Sequence, residues 1–369
     1  MKTVYVTQPS LPPLGEFIPL LEDIWERKWL TNGGYYHQEL ETSLAEYLGV
    51  KYVSLFCNGT VALQTGLKAL DIKGEVITTP FTFVATAHSI KWNDCTPVFC
   101  DIEPDTFNLD PSKVEALITD KTTAIMPVHV YGNPCDTDKL RQIANKHNLK
   151  LFYDAAHAFG VEENGESILN AEDLSMVSFH ATKVFNTIEG GALITNSAEM
   201  KEKIDYLKNF GFEHEESVVG VGINGKMNEL QAAYGLLQLK YIDGDIGKCR
   251  ELSEFYRDAL DSIPGIKYLN DLPKVKHNYS YFPILVDVEL FGSSRDELYE
   301  KLKENGIMTR KYFYPLVSSF SDYKNLPSSS KVALPVANEI SSKVLCLPMY
   351  SDLRYEDVLR VVEIIRGDR

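Results

Sequence analysis

Lys183 is the residue of this chain best placed to do covalent chemistry. It ends the polar turn Ser178-Phe-His-Ala-Thr-Lys183, which follows an apolar run (Met176, Val177) and precedes another (Ala192, Leu193, Ile194) introduced by Glu189-Gly190-Gly191. The pattern predicts strand, turn, strand, and in open α/β sheets ligands bind just beyond strand ends. A Lys amine partly screened from water spends time neutral and can attack a carbonyl to form a Schiff base. An isolated Lys in a turn is ordinarily a solvated surface charge, so the reading needs support from elsewhere. Asp154 provides it: it closes a second apolar run (Leu149, Leu151, Phe152, Tyr153) and is followed by Ala155 and Ala156, which suits a carboxylate aimed at a ligand cation. Ser178 adds a hydroxyl that can take a phosphate. A Lys, an Asp and a phosphate cradle at neighbouring strand ends form the set expected around pyridoxal phosphate.

The cradle has a candidate in Asn58-Gly59-Thr60, at the end of the strand predicted over Lys51–Cys57 and opening a helix through Leu70. A helix N-terminus offers free N–H groups and a positive dipole end to an anion. Gly59 permits close backbone approach and Thr60 adds a hydroxyl; an ordinary capped helix fits the same tripeptide.

The elements that must position these residues alternate as in a mainly parallel sheet with crossover helices. Strands are predicted near 75–79, 97–101, 124–129 and 149–154, with helices near 111–117 and 136–146, and another starting at Pro80. A helix over Phe17–Trp29 has apolar residues at helical spacing, is broken by Leu30–Gly34, and is followed by one over Tyr36–Leu48. After Asn196 come a helix over 200–210, a Gly-rich stretch 211–225 read as a mobile loop, and helices over 227–241 and 249–262. Pro264-Gly265 marks the boundary between an N-terminal arm and large domain (1–264) and a small α+β domain (265–369). The latter reads as strand 279–286, helix 294–304, helix 331–341, strand 344–347 and helix 355–365.

The 369 residues are 44% hydrophobic and 24% charged, with a net charge of −15. That excess of acid argues against nucleic-acid binding, which relies on clustered Lys and Arg. No GxGxxG follows a strand and no GxxxxGK[ST] occurs, so neither nucleotide-loop fingerprint is present. The six Cys are scattered without a CxxC pair, so no metal site is expected. Neither a signal peptide nor a membrane span is legible, and a reducing cytoplasm is the expected location.

Five motifs in order then carry a resemblance. They are Asn58-Gly-Thr-Val-Ala-Leu63, Thr79-Pro-Phe-Thr-Phe-Val-Ala-Thr86, Asp154-Ala-Ala-His-Ala158, Ser178–Lys183 with Glu189-Gly190-Gly191, and Asn224-Gly-Lys-Met-Asn-Glu-Leu-Gln-Ala-Ala233. Over nearly its full length the chain resembles the DegT/DnrJ/EryC1/StrS family of sugar aminotransferases. The resemblance implies fold type I, pyridoxal phosphate as cofactor and a homodimer with composite active sites. It implies L-glutamate as amino donor and, from the segment Arg310–Leu316, a dTDP-keto-6-deoxyhexose as acceptor in surface-polysaccharide synthesis. Amination at C3 in place of C4, or of a UDP-sugar, remains open at this stage. So does a non-catalytic regulator; a sugar dehydratase of the same fold is opposed by Lys183, which that branch replaces with His.

Residue by residue, the resemblance implies that Lys183 and Asp154 are catalytic. Gly59, Thr60 and Ser178 would hold the phosphate, Phe83 would stack on the ring, and His157, where the family often has Gln, would donate to its ring oxygen. Asn224 would reach the neighbouring subunit's phosphate, although a Gly-flanked loop Asn also tolerates left-handed backbone. Asn32 is either a substrate contact or a helix C-cap, and Tyr312 and Tyr314 are either sugar-pocket or core residues. Two positions depart from the family: Gly225 stands in place of an aromatic and Lys226 in place of Arg.

Overall fold

The computed structural model describes residues 2–170 and 173–367. Its centre is a sheet of seven strands: β1 (Tyr52–Phe56), β2 (Glu75–Thr78), β3 (Thr96–Phe99), β4 (Thr122–Met126), β5 (Lys150–Asp154), β6 (Leu174–Ser178) and β7 (Gly191–Thr195). Their spatial order is β1-β7-β6-β5-β4-β2-β3. β7 runs antiparallel to both its neighbours, while β6, β5, β4, β2 and β3 are mutually parallel. The result is the mainly parallel mixed sheet expected from the alternation.

Both faces of the sheet are covered by helices, which is why β6 and β7 are buried throughout. On one face lie α1 (Leu14–Arg27), α2 (Tyr35–Leu48) and, later in the chain, a helix over Glu229–Leu239. Leu40, Leu44 and Ala232 pack there against Val53, Val177 and Ala192. On the other face α3 (Gly59–Ala69), α4 (Ala85–Trp92) and a helix over Ala198–Leu207 meet Phe152, Met176 and Leu193. Adjacent residues Met176 and Val177 thus serve opposite cores, the period-two consequence of the pleat. α3 sits close to β5 because of Gly66: a Cβ there would lie 2.5 Å from Phe152 Cζ. Gly66→Ala therefore overpacks this layer and is expected to cost about 1–3 kcal/mol, read as a lower urea midpoint at unchanged slope.

Continuing the helix numbering, α5 spans Thr137–His147, α6 Ala198–Leu207, α7 Glu229–Leu239 and α8 Ile242–Leu260. α2 lacks a side-chain cap of its own. Glu229, the first residue of α7, accepts from the Tyr36 and His37 N–H groups at 2.8 and 3.0 Å. This buried carboxylate satisfies the α2 N-terminus at its positive dipole end. Gly34 is required beside it, since a Cβ there would stand 2.4 Å from Glu229 Cδ.

The C-terminal part forms an antiparallel sheet of β8 (Ile266–Tyr268), β9 (Phe282–Val286) and β10 (Val344–Leu347). It is covered by α9 (Arg295–Glu304), α10 (Pro335–Lys343) and α11 (Tyr355–Arg366). Its core draws on Leu298, Leu302, Val358 and Val361, and also on Val4 and on Leu252, Tyr256 and Leu260 of α8. Val4 bridges to Ile307, with its N–H on Gly306 O at 2.9 Å, so the first residues reach the C-terminal core.

The helix expected over 331–341 starts at Pro335 and the strand expected over 279–286 starts at Phe282, and three further expectations differ from the structure. The helix after Pro80 begins at Ala85, the intervening residues forming bends and a turn. The stretch 211–225 contains a small hairpin, Phe212–His214 against Ser217–Val218, where its glycines had suggested only loop. α8 begins at Ile242 rather than near Cys249. Gly244 and Gly247 weaken the local helix signal, but Asp243 and Asp245 favour the N-terminal dipole end.

Candidate active site

The ends of β5 and β6, the turn after β6 and the first turn of α3 surround one cavity of about 250 Å³. Asp154 is the last residue of β5 and Ser178 the last of β6. Gly59, Thr60, Phe83, Asp154, His157, Ser178, Lys183 and Tyr312 all line the cavity. Eight of the eleven site residues expected from the sequence are therefore brought together.

Lys183 is partly buried, and its Nζ donates to Tyr281 Oη at 3.0 Å. Burial brings its pKa down to about 8, against the opposing pull of Tyr312 and Asp154. The amine is therefore about one-tenth neutral at pH 7, far more than an ordinary lysine, and the neutral form is the one nucleophilic attack requires. Asp154 is 4% exposed. Its Oδ2 accepts from Thr86 Oγ1 at 2.7 Å and its Oδ1 from the Ala156 N–H at 3.1 Å. Burial raises its pKa, while these two hydrogen bonds and Lys183 oppose the rise. A buried carboxylate of this kind calls for a cationic N–H opposite it.

At α3, Asn58 caps the helix by accepting from the Val61 N–H at 2.9 Å. The Gly59 and Thr60 N–H groups belong to the first turn and have no intrahelical acceptor. The backbone crosses tightly here: a Cβ on Gly191 of β7 would lie 2.8 Å from Gly59 Cα. Ser178 packs beside Gly59, its Oγ 3.4 Å from where a Gly59 Cβ would sit. A phosphate fits this corner, with two backbone donors, one hydroxyl from Ser178 and one from Thr60.

His157 is buried, and its Nδ1 accepts from the Tyr131 N–H at 3.2 Å. Burial and the nearby Lys183 hold its pKa well below the usual range, so the ring is neutral with its proton on Nε2. The ring lies parallel to Phe313 at 5.9 Å and 6°, which fixes the direction of that donor. Phe83 is 59% exposed at the cavity wall, leaving a ring face free to stack. The donors, the buried carboxylate and the amine are complementary to pyridoxal phosphate, which presents a phosphate, a ring N–H, a ring oxygen and an aldehyde.

Asn32, Asn224 and Tyr314 lie outside the cavity. Asn32 is exposed with φ 63°; it is not the C-cap of α1, a position held by Lys28. Asn224 is exposed and bridges to Asn209. Tyr314 points away from Tyr312, with the Arg295 guanidinium 4.6 Å over its ring, because 311–316 is not a regular strand and residues two apart need not share a face. The departures at 225 and 226 have local causes. A Cβ on Gly225 would meet Val61 Cγ1 at 2.9 Å and Phe56 at 3.1 Å, so an aromatic has no room. Lys226 is engaged by Asn209 at 2.8 Å and by the Phe210 ring.

Sequence reasoning missed Thr86 and Tyr281. Thr86 lies inside the quoted Thr79–Thr86 motif, and its spacing from Phe83 on a helix start was the available signal. Tyr281 reads as a core aromatic at a strand edge, and only the fold brings it to Lys183.

Residues 15–366 match the DegT/DnrJ/EryC1/StrS aminotransferase family. The chain is 51% identical over 371 residues to a dTDP-4-amino-4,6-dideoxy-D-glucose transaminase of Escherichia coli, covering 99% of both chains. It is 54% identical over 365 residues to a protein of the same name from Shigella dysenteriae, again covering 99% of each. Among solved structures, DesI in the presence of its TDP-sugar product superposes with a TM-score of 0.95 at 35% identity, covering 100% of this chain and 93% of that one. With the matched segment spanning almost every residue, this chain belongs to the DegT/DnrJ/EryC1/StrS aminotransferase family.

Proposed function

We propose that the protein transfers the amino group of L-glutamate to C4 of dTDP-4-keto-6-deoxy-D-glucose, giving dTDP-4-amino-4,6-dideoxy-D-glucose for surface polysaccharide such as O-antigen. The observation that carries the chemistry is the pairing of Lys183 and Asp154 across one cavity with the first turn of α3. The sugar is supported by the two relatives that share half of this sequence.

Pyridoxal phosphate, when bound, supplies an aldehyde for the amino group and a pyridinium ring that draws electrons from the donor carbon. Asp154 would hold that ring's N–H by an ion pair, Gly59, Thr60 and Ser178 would hold the phosphate, and His157 Nε2–H and Phe83 would fix the ring. Lys183 Nζ removes the α-proton of glutamate and later delivers a proton to the sugar carbon that takes up nitrogen. One amine serves both half-reactions; glutamate, having given up its amino group, leaves as 2-oxoglutarate before the keto-sugar enters, so the kinetics are ping-pong. Tyr312 lines the acceptor side.

The active form in this reading is a cytoplasmic homodimer. Asn224 stands outside its own cavity, and Phe210, Val221 and Ile223 near it are exposed apolar side chains, surface that a second copy would cover. Asn224 then reaches the partner's phosphate, and Asn32 and Tyr314 border the sugar in the assembled mouth. Among the described residues no helix is long and apolar enough to cross a membrane.

The reading is tested by incubating the protein with L-glutamate and a panel of dTDP- and UDP-linked 3-keto and 4-keto sugars, with products identified by NMR. The expected product is the dTDP-linked 4-amino-4,6-dideoxyglucose. A 3-amino product, turnover of UDP-sugars only, or no amination overturns it.

A further inference from the structure

We propose that Tyr281 is a positioning residue for the Lys183 amine, presenting a fixed hydroxyl from the C-terminal sheet to an amine carried by the central one. The proposal rests on Lys183 being the reactive amine, as argued above. Tyr281 immediately precedes β9, whereas Lys183 follows β6. Its Oη is 3.0 Å from Lys183 Nζ, and Nζ stands 5.7 Å from the Tyr281 ring centre. The ring itself is held, 4.8 Å from His157, 5.4 Å from Tyr131 and 6.1 Å from Tyr312 between centres.

The physical need is clear from the two side chains. A lysine amine released from a covalent bond swings on four rotatable carbons and loses its direction. A packed tyrosine has two side-chain torsions, and here aromatic neighbours restrict both. The hydroxyl therefore gives the free amine one preferred position at little added entropy cost. As an ammonium, Lys183 donates a charge-assisted hydrogen bond to Oη, stronger than the bond the neutral amine makes. Tyr281 thus also keeps the buried amine from being driven wholly neutral. The other titratable groups around the amine are Asp154, His157 and Tyr312 in the cavity, His180 and Glu189 at its more exposed lip, and Asp245, Cys249 and Tyr350 beyond the lysine stem.

The test is Tyr281→Phe, which keeps the ring and removes the hydroxyl. In the cofactor-free full chain, the pH dependence of Lys183 labelling by trinitrobenzenesulfonate, read by peptide mass spectrometry, gives the titration midpoint of the amine. Loss of the acceptor is expected to lower that midpoint by about half a pH unit or more. In the loaded enzyme kcat is expected to fall about tenfold, with KM for glutamate changing less than about twofold. If Tyr281→Phe does not fold, Tyr281→Leu reads the same midpoint. An unchanged midpoint together with unchanged kcat overturns the proposal. The labelling experiment uses no cofactor, so its failure is separate from failure of the aminotransferase reading, which shows instead as absence of amination by the wild-type protein.

Discussion

Lys183→Ala is expected to lower kcat by about 10⁴-fold or more, because one substitution removes both the covalent anchor and the proton carrier. The wild-type protein loaded with pyridoxal phosphate should show a visible absorption band that the variant lacks; a variant that keeps the band removes Lys183 from the anchoring role. The same position makes a second, independent claim about the cofactor-free protein. With a folded-state pKa of about 8 against an ordinary value of 10.5, the unfolded chain binds more protons than the folded chain between those two values. Stability therefore rises with pH across that window, and below it the full penalty of the buried ammonium is present. Lys183→Met, similar in length and uncharged, should stabilise the cofactor-free protein at pH 7 by about 3 kcal/mol. The advantage should vanish above about pH 10.5. Urea melts at pH 7 and pH 10.5 measure it; a pH-independent difference would show that the amine is solvated in the folded protein.

Asp154→Asn is expected to reduce kcat by about 10²–10³-fold while some cofactor remains bound. Asn preserves shape and can accept from Thr86 or from the Ala156 N–H but not from both, and it cannot form an ion pair with a ring N–H. Unchanged turnover in a steady-state assay would exclude Asp154 from the reaction. Burial raises the Asp154 pKa, so its ionised form costs folding free energy at neutral pH, and that cost is relieved only as pH falls through the folded pKa. Relative to the wild type, the cofactor-free Asn variant should accordingly gain stability as pH rises from acid to 7. Lower activity combined with that pH-dependent relative gain separates a functional carboxylate from a structural one.

The strand ends carrying Asp154 and Ser178 were legible in sequence because their apolar runs stop abruptly at polar residues, and a chain direction follows from that alone. Gly59 and Thr60 were legible because a capping Asn before an apolar run marks a helix start. What periodicity could not convey is distance across the fold. Tyr281 lies 98 residues beyond Lys183, and an aromatic beside β9 has the same local signature whether it fills a core or holds an amine. Tyr312 and Tyr314 look equivalent in sequence, yet the irregular backbone sends one into the cavity and the other onto Arg295. The hairpin within 211–225 was hidden by glycines that loosen the strand pattern. The early start of α8 was hidden by glycines that tertiary packing overrides.

The Glu229 carboxylate has a reach greater than that of a helix cap. Through Tyr36 and His37 it fastens the start of α2, just after the Asn32 bend, to the start of α7, just after Asn224. Two segments nearly two hundred residues apart in the chain therefore share a single rivet. Damage at Gly34 or Glu229 would misplace both segments at once, so a mutational survey scored only by turnover would mistake either residue for a substrate contact.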